Sequence, residues 1–310
     1  MNASTHDPPS SSSSAADAAP DAAPDADAAL EGGEGSAPNM RRQTLRRLGK
    51  MGLGAAALSF ATFGPGVRKA VAQDGDPVSI LNFALTLEYL ESVYYQTAVD
   101  TDGLLPDGQA RDVYELIATH EEKHVGVLRA AISAAGGTPV GPFDESNFDF
   151  TAGGTFPNPF DNYTVFLALS QAFEDTGVRA YKGQAANIPG DLDIDVPDVG
   201  TFNALTTALQ IHSVEARHAA EARRLRAARG DANVQPWILL DNPGLSQFND
   251  AVQPVYAGED RVTQAGVNLA DQLNYDEGPI SEAFDEPLSM DDVNAIAGLF
   301  ITDDDDDSDN

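Results

Sequence analysis

Apolar residues recur at intervals of three and four along four long stretches of the chain, which is the pattern of a helix with one buried face. The first predicted helix covers about 77–99 and the second about 107–135. The third covers about 160–188 and the fourth about 197–229. Glycine or proline follows each stretch and ends it. The pattern therefore predicts an all-α protein.

The connection between the second and third helices, 136–159, is long and has no hydrophobic period. About 22 extended residues reach roughly 70 Å, enough to run the whole length of a helical bundle. A bundle with one long crossover at this position has the ferritin-like topology. The predicted fold is therefore a ferritin-like four-helix bundle over 73–232. An extension, 233–302, follows it and ends in a short helix that begins at the capping sequence around Ser289.

The N-terminal part of the chain differs in composition from the rest. Residues 1–39 contain almost no large apolar side chains, which predicts disorder because they cannot bury enough surface to offset their ordering entropy. Residues 40–72 combine the pair Arg41-Arg42, an apolar run and an Ala-Val-Ala sequence, which resembles a twin-arginine export signal. The apolar run is too short to span a bilayer. These features predict export to the extracellular space or cell surface, with no stable transmembrane segment after processing.

Two alternatives stay open for this N-terminal segment. Met40 directly precedes the arginine pair, so translation from Met40 is an alternative to a start at Met1. The apolar run, 51–63, is also compatible with a buried core helix that has basic flanks.

The chain is strongly acidic, with 49 Asp and Glu residues against 18 Lys and Arg residues and a formal net charge of −31. Such a charge disfavours nucleic acid as a partner. It suits high salt, where charge repulsion is screened within a few ångströms, so we expect a halophilic source. Residues 303–310 are nearly all Asp and form a predicted acidic tail. The chain has no cysteine, which excludes disulfides, thiol catalysis and iron–sulfur clusters.

Two Glu-x-x-His sequences lie within the apolar stripes of the second and fourth predicted helices. Residues three apart share one face of a helix, so each sequence aims a carboxylate and an imidazole at the same point. The first and third helices each carry one glutamate on their own apolar stripe. A bundle that holds two metal ions uses this combination of residues. The predicted metal ligands are Glu88, Glu121, His124, Glu174, Glu215 and His218.

Four carboxylates that face a bundle core are costly unless their charge is neutralised. Two divalent cations balance four negative charges, and carboxylate-rich sites with one imidazole per metal suit iron or manganese better than tetrahedral zinc. The predicted cofactor is therefore two Fe or Mn ions. The general pattern of such sites has Glu121 and Glu215 bridging the metals, with Glu88 and Glu174 as terminal ligands.

A zinc-protease motif is a competing interpretation of the second helix. His120, Glu121 and His124 form a literal H-E-x-x-H sequence, in which the two histidines bind zinc and the glutamate is the base. Val127 stands where the extended metzincin motif requires glycine. This interpretation also leaves the glutamates of the other three helices without a role.

Four further polar residues lie close to the candidate ligands in sequence. His120 and His212 are expected around the metal site or on helix faces, not as ligands. Glu91 and Asp175 are alternative ligands or polar neighbours of the site. A surface position for the whole set is the simplest alternative, and two repeated motifs on apolar stripes argue against it.

The two halves of the predicted bundle resemble each other. Glu88 precedes Tyr95 by seven residues, and Glu174 precedes Tyr181 by seven. Each half then supplies one Glu-x-x-His sequence. This is a weak internal repeat of two helices.

Four segments of the chain carry a resemblance to a known family. They are Leu81–Glu91, His120–His124, Phe173–Tyr181 and Val214–His218. Together they resemble the ferritin-like domain of the desiccation-related protein family over about 77–230, and Ala283–Leu288 resembles the tail of that family. The resemblance implies a ferritin-like bundle, often exported, with dimetal ligands retained in many members and no settled reaction.

The predicted function is that of an exported oxidoreductase whose dimetal site acts on oxygen, peroxide or Fe(II), in a ferroxidase or catalase-like reaction. The alternative is a non-catalytic protein that protects against desiccation or stress, with the metals as a structural clamp. Iron storage requires a cage, which the bulky tail and long loops disfavour. The expected partner is a small-molecule oxidant or a metal ion, and a homo-oligomer is left open.

Overall fold

The computed structural model describes residues 76–231, 234–245 and 247–302. Three predicted segments lie outside these ranges: the disordered segment at 1–39, the export signal at 40–72 and the acidic tail at 303–310. The predictions for these segments therefore stay predictions.

Four long helices form the main body of the described chain. They are α1 (Pro77–Asp100), α2 (Gln109–Ala134), α3 (Tyr163–Ala185) and α4 (Ala204–Ala228). α1 packs mainly on α2 and α3 on α4, while further contacts of α1 with α3 and of α2 with α4 join the two pairs. The prediction of an all-α four-helix bundle is confirmed. None of the helices within the described ranges has both the length and the apolar composition needed to cross a membrane.

The connection from α2 to α3 covers 135–162 and contains one short 3-10 turn, Glu145–Asn147. Its side chains Phe148, Phe150 and Phe156 are buried in the hydrophobic core. The long crossover expected from the sequence is thus present. Its aromatic residues hold it on the bundle, because burying each ring removes a large apolar surface from water.

The expectation that the fourth helix starts at about 197 is wrong. An antiparallel hairpin precedes this helix, formed by β1 (Asp193–Val196) and β2 (Gly200–Asn203). Asp198 and Gly200 have φ angles of 62° and 119°, which are incompatible with a right-handed helix and turn the chain back. The Asn203 side chain then accepts a hydrogen bond of 3.0 Å from the backbone N–H of Thr206. This cap sets the start of α4.

The described chain after α4 contains more structure than predicted. It forms α5 (Asn249–Tyr256), β3 (Thr263–Gln264), β4 (Val267–Asn268), α6 (Leu269–Leu273), α7 (Glu277–Ser281) and α8 (Met290–Ala297). The helix α8 is the predicted terminal helix, and the Ser289 hydroxyl caps it by accepting a hydrogen bond from the backbone N–H of Asp292 at 3.1 Å. α8 contacts both α3 and α5, so this tail, 234–302, packs on the bundle.

A buried arginine of α3 binds the tail. The Arg179 guanidinium donates hydrogen bonds to the backbone carbonyls of Val255, Ala257 and Glu286. Its Nε also lies 2.8 Å from a carboxylate oxygen of Glu259, and both side chains are 1% exposed. Hydrogen bonds that involve a charged group are stronger than neutral ones. Arg179 therefore ties two separate parts of the tail to the bundle.

Two further contacts join the tail to the bundle. Arg223 of α4 forms two hydrogen bonds with the Asp175 carboxylate of α3, one of 2.8 Å, and the Tyr256 hydroxyl of α5 donates to Asp175 at 2.7 Å. Gly183 of α3 lies directly against the Leu288 carbonyl, where an added Cβ would be 1.9 Å from the oxygen. Only glycine permits so close a backbone approach at this position.

Candidate metal centre

The six predicted ligands come together inside the bundle. α1 and α3 each contribute one glutamate, and α2 and α4 each contribute a glutamate and a histidine three residues later. All six side chains are buried. They are Glu88, Glu121, His124, Glu174, Glu215 and His218. The helical spacing explains the arrangement, because residues three apart present their side chains on the same face.

The cluster consists of two overlapping groups of four residues. Within each group, one potential ligand atom from every residue lies within 4.8 Å of the others. One group is Glu88, Glu121, His124 and Glu215, and the other is Glu121, Glu174, Glu215 and His218. Glu121 and Glu215 belong to both groups. They would be the ligands shared by two metal ions if each group held one.

Both histidines point their Nδ1 atoms at the carboxylates. His124 Nδ1 lies 2.9 Å from an oxygen of Glu121, 3.1 Å from one of Glu88 and 3.2 Å from one of Glu215. His218 Nδ1 lies 2.9 Å from the other oxygen of Glu121. Each imidazole therefore contacts a different oxygen of Glu121. His124 belongs to one group and His218 to the other.

Several buried atoms of the cluster form no hydrogen bond with described residues. They are Oε1 of Glu121, both carboxylate oxygens of Glu174, both of Glu215, and Nδ1 of His218. A buried carboxylate without a hydrogen-bond partner is costly, whereas a metal ion accepts such oxygens as ligands. Four glutamates and two neutral imidazoles balance two divalent cations in charge. The residues present therefore fit a pair of metal ions.

The electrostatics of the cluster favour positive charge at the imidazoles. Burial raises the pKa of Glu88 and of Glu215 well above the usual range. Burial alone would lower the pKa of His218, but the charge of Glu174 and the close approach of the Glu121 carboxylate outweigh it and raise that pKa to about 11. Burial likewise opposes the ionisation of Glu121, yet the hydrogen bond from His124 and the ion-pair contact with His218 lower its pKa to about 2. The surroundings of Glu121 thus stabilise a carboxylate that faces positive charge.

His120 lies next to the cluster and outside both groups. Its Nδ1 is 2.9 Å from Nε2 of His218, and the two rings stack with centroids 5.2 Å apart. This contact leaves Nδ1 of His218 directed at the carboxylates. His120 therefore orients a candidate ligand, and it does not join Glu121 and His124 in the arrangement of a zinc protease.

The other polar candidates do not enter the two groups either. His212 Nδ1 is 3.0 Å from the Val178 carbonyl, and Asp175 is paired with Arg223. Glu91 is buried beside the cluster but belongs to neither group.

One tyrosine supports the cluster in a way that sequence reasoning did not assign, and a second tyrosine occupies the matching position in the other half of the repeat. The Tyr181 hydroxyl of α3 donates a hydrogen bond to Glu88 of α1. In the other half, the Tyr95 hydroxyl of α1 points toward α3 and contacts the Ser170 carbonyl at 3.5 Å. The internal repeat contained the signal, since each tyrosine follows its own glutamate by seven residues. Each tyrosine crosses to the opposite half of the bundle.

Four helices with a long crossover after the second, and a carboxylate–histidine cluster between them, define the ferritin-like class of proteins. The family model described as "Ferritin-like domain" matches residues 76–228. This part of the chain is therefore a ferritin-like domain, and it contains all four long helices and the whole cluster. No curated protein and no solved structure shows significant similarity to the chain. The tail lies outside the matched segment.

Proposed function

We propose that this protein binds two iron or manganese ions in the cluster and is an oxidoreductase that acts on peroxide, oxygen or Fe(II). The main support for this proposal is the pair of overlapping four-residue groups, which share the carboxylates of Glu121 and Glu215. These groups also contain buried carboxylate oxygens that form no hydrogen bond with described residues. The proposed ligands are Glu88, Glu121, His124, Glu174, Glu215 and His218.

The metal pair supplies the change of oxidation state when it is bound. The chain supplies the shape and polarity of the site. Glu121 and Glu215 would contact both metal ions, Tyr181 donates a hydrogen bond to Glu88, and His120 contacts His218. The cluster side chains are almost completely buried, so bulk water is kept away from the reacting atoms.

The composition of the chain narrows the choice of reaction. Because the chain has no cysteine, it offers no thiol as an internal electron donor. Disproportionation of hydrogen peroxide, in which two molecules give two waters and one dioxygen, needs no external reductant. Oxidation of Fe(II) uses the substrate itself as the reductant. These two reactions are the ones that we favour.

The proposal is tested on protein purified from its native host or loaded with iron or manganese. We expect about two metal ions per chain, one for each group, together with oxygen release from hydrogen peroxide or oxidation of added Fe(II). Elemental analysis and an oxygen electrode measure both on one sample. Two bound ions without turnover support the non-catalytic protective protein, and absence of metal contradicts the site itself.

We also propose that the protein is exported, which rests on the arginine pair and apolar run of 40–72. The desiccation-related family and a halophilic source are proposals with the same kind of support, from sequence alone. We expect the secreted protein to begin near Gln73, and N-terminal sequencing of secreted and precursor forms measures this. A secreted form that retains the segment contradicts cleavage, and a precursor that begins at Met1 contradicts a start at Met40.

A further inference from the structure

A fifth glutamate lies beside the cluster without a partner. Glu91 of α1 is 3% exposed, and its carboxyl oxygens form no hydrogen bond or ion pair with the described residues. A buried carboxyl without a partner costs free energy whether or not it is ionised. Such a carboxyl is compatible with a stable protein if a bound molecule forms a hydrogen bond with it, or if its function offsets this cost.

The opposite half of the bundle makes room for this carboxyl. Glu91 follows Glu88 by three residues, and in the internal repeat the corresponding position is Gly177, three residues after Glu174. A Cβ at Gly177 would lie 3.3 Å from Oε1 of Glu91 and 3.2 Å from Oε2 of Glu215. At this repeat position α1 therefore carries the Glu91 carboxyl, whereas α3 carries a glycine, which has no side chain. The carboxyl of Glu91 and the shared ligand Glu215 meet at this glycine.

Glu91 faces a narrow cavity between α1, α3 and α8. The other side chains of the cavity are almost all apolar, and they include Leu87, Leu90, Phe173, Ile296 and Phe300. The volume open to the centre of a water-sized molecule is about 10 Å³, close to the minimum that holds one such molecule. A larger cavity of about 270 Å³ shares four of the lining residues and lies under the tail.

The size and polarity of the narrow cavity limit its occupant to a very small molecule with a hydrogen-bond donor. An organic substrate is too large, and a metal ion would lose its water shell against hydrophobic side chains. Dioxygen has no hydrogen-bond donor, so Glu91 would gain nothing from it. Water and hydrogen peroxide are both small and neutral, and each has two O–H donors, one of which can satisfy a carboxyl oxygen of Glu91. Hydrogen peroxide is the one of the two that the proposed metal chemistry consumes. We propose that this cavity is a binding site for hydrogen peroxide, with Glu91 as the residue that positions it beside the metal cluster.

This inference rests on the proposed peroxide chemistry of the metal site. It makes the tail part of the substrate site, because α8 forms one wall and lies outside the ferritin-like domain. It also predicts different effects of two substitutions at one position. Glu91→Leu removes the acceptor at similar size, whereas Glu91→Gln keeps an acceptor oxygen.

The test uses the full-length, metal-loaded chain. For Glu91→Leu we expect two metal ions per chain. We expect the KM for hydrogen peroxide to rise about tenfold or more, because the substrate loses one buried hydrogen bond. We expect kcat to change much less, because the lost interaction is one of binding. Glu91→Gln is expected to restore most of the affinity. Gly177→Ala narrows the cavity and is expected to raise KM as well, while Gly126→Ala on α2, where a Cβ meets nothing within 4 Å, is the matched control.

A measurement that is independent of turnover uses the chain loaded with zinc, which has no redox chemistry. A crystal of this form soaked in hydrogen peroxide is expected to show density for the molecule against Glu91. Water alone at that position at saturating peroxide would overturn the inference, and so would an unchanged KM in both Glu91→Leu and Gly177→Ala. Loss of metal from Glu91→Leu would instead make Glu91 a ligand and also contradict it. A wild-type chain with two metals and no reaction with peroxide or Fe(II) refutes the proposed function separately.

Discussion

Replacement of Glu121 by alanine is expected to reduce the metal content from about two ions per chain to fewer than one. Glu121 belongs to both groups of the cluster, and its two oxygens face the two different imidazoles. Both metal positions therefore lose a ligand at once. Elemental analysis of iron or manganese, after free metal has been removed by gel filtration, measures the result.

Residues that belong to only one group provide the sharpest comparison. His124→Ala is expected to leave about one ion per chain, because the group that contains His218 keeps all four residues. Glu122→Ala is the matched control: this neighbour of Glu121 has a side chain that is 71% exposed, and its replacement should leave both ions in place. Equal metal content in Glu121→Ala and Glu122→Ala would contradict the proposed site.

The second large effect concerns stability. Arg179→Ala is expected to reduce the free energy of unfolding by about 3–5 kcal/mol, the usual cost of removing one partner from a buried ion pair. The substitution leaves the Glu259 carboxylate buried without its cation, and three backbone carbonyls of the tail lose their donor. Urea-induced unfolding, followed by circular dichroism, measures the change.

The control for this prediction is an exposed ion pair on the same bundle. Arg224 lies 2.7 Å from Glu221, and the two side chains are 38% and 41% exposed. Arg224→Ala should therefore cost less than about 1 kcal/mol. A double variant, Arg179→Met with Glu259→Leu, should recover part of the loss because no charge stays buried alone. Similar stabilities for Arg179→Ala and Arg224→Ala would show that the tail is not held by Arg179.

The bundle was predictable because its helices are long. Helices of 23 to 26 residues contain enough turns for an apolar stripe to stand out, and glycine or proline marks their ends. The same periodicity located the cluster, since both residues of each Glu-x-x-His sequence fall on the apolar stripe of their helix. The hairpin before α4 was missed because Pro197 looks like the first residue of a helix. The turn at Asp198 and Gly200, which prevents a helix there, is a backbone conformation without a periodic signal.

The tail could not be predicted in the same way. α6 and α7 have five residues each, too few for a period, and this part of the chain is held by distant partners. Arg179 binds carbonyls that are 76, 78 and 107 residues away in sequence. The pairing of Glu91 with Gly177 is another contact between distant segments. In the sequence, Glu91 and Gly177 each follow a glutamate by three residues. Only the packing of α1 against α3 shows that the Glu91 carboxyl lies against Gly177.

The hydrogen bond between His120 and His218 would make the two proposed metal positions unequal. If Nδ1 of His218 binds a metal ion, its Nε2 carries the proton and donates to Nδ1 of His120, which lies 2.9 Å away. In the first half of the bundle His120 precedes Glu121, whereas Val214 precedes Glu215 in the second, so in the described part of the chain no histidine occupies the equivalent position behind His124. An imidazole that donates its outer proton is the more basic ligand. Two ions of the same element in this repeated frame would therefore differ in electron density, and the pair would be polarised toward His218.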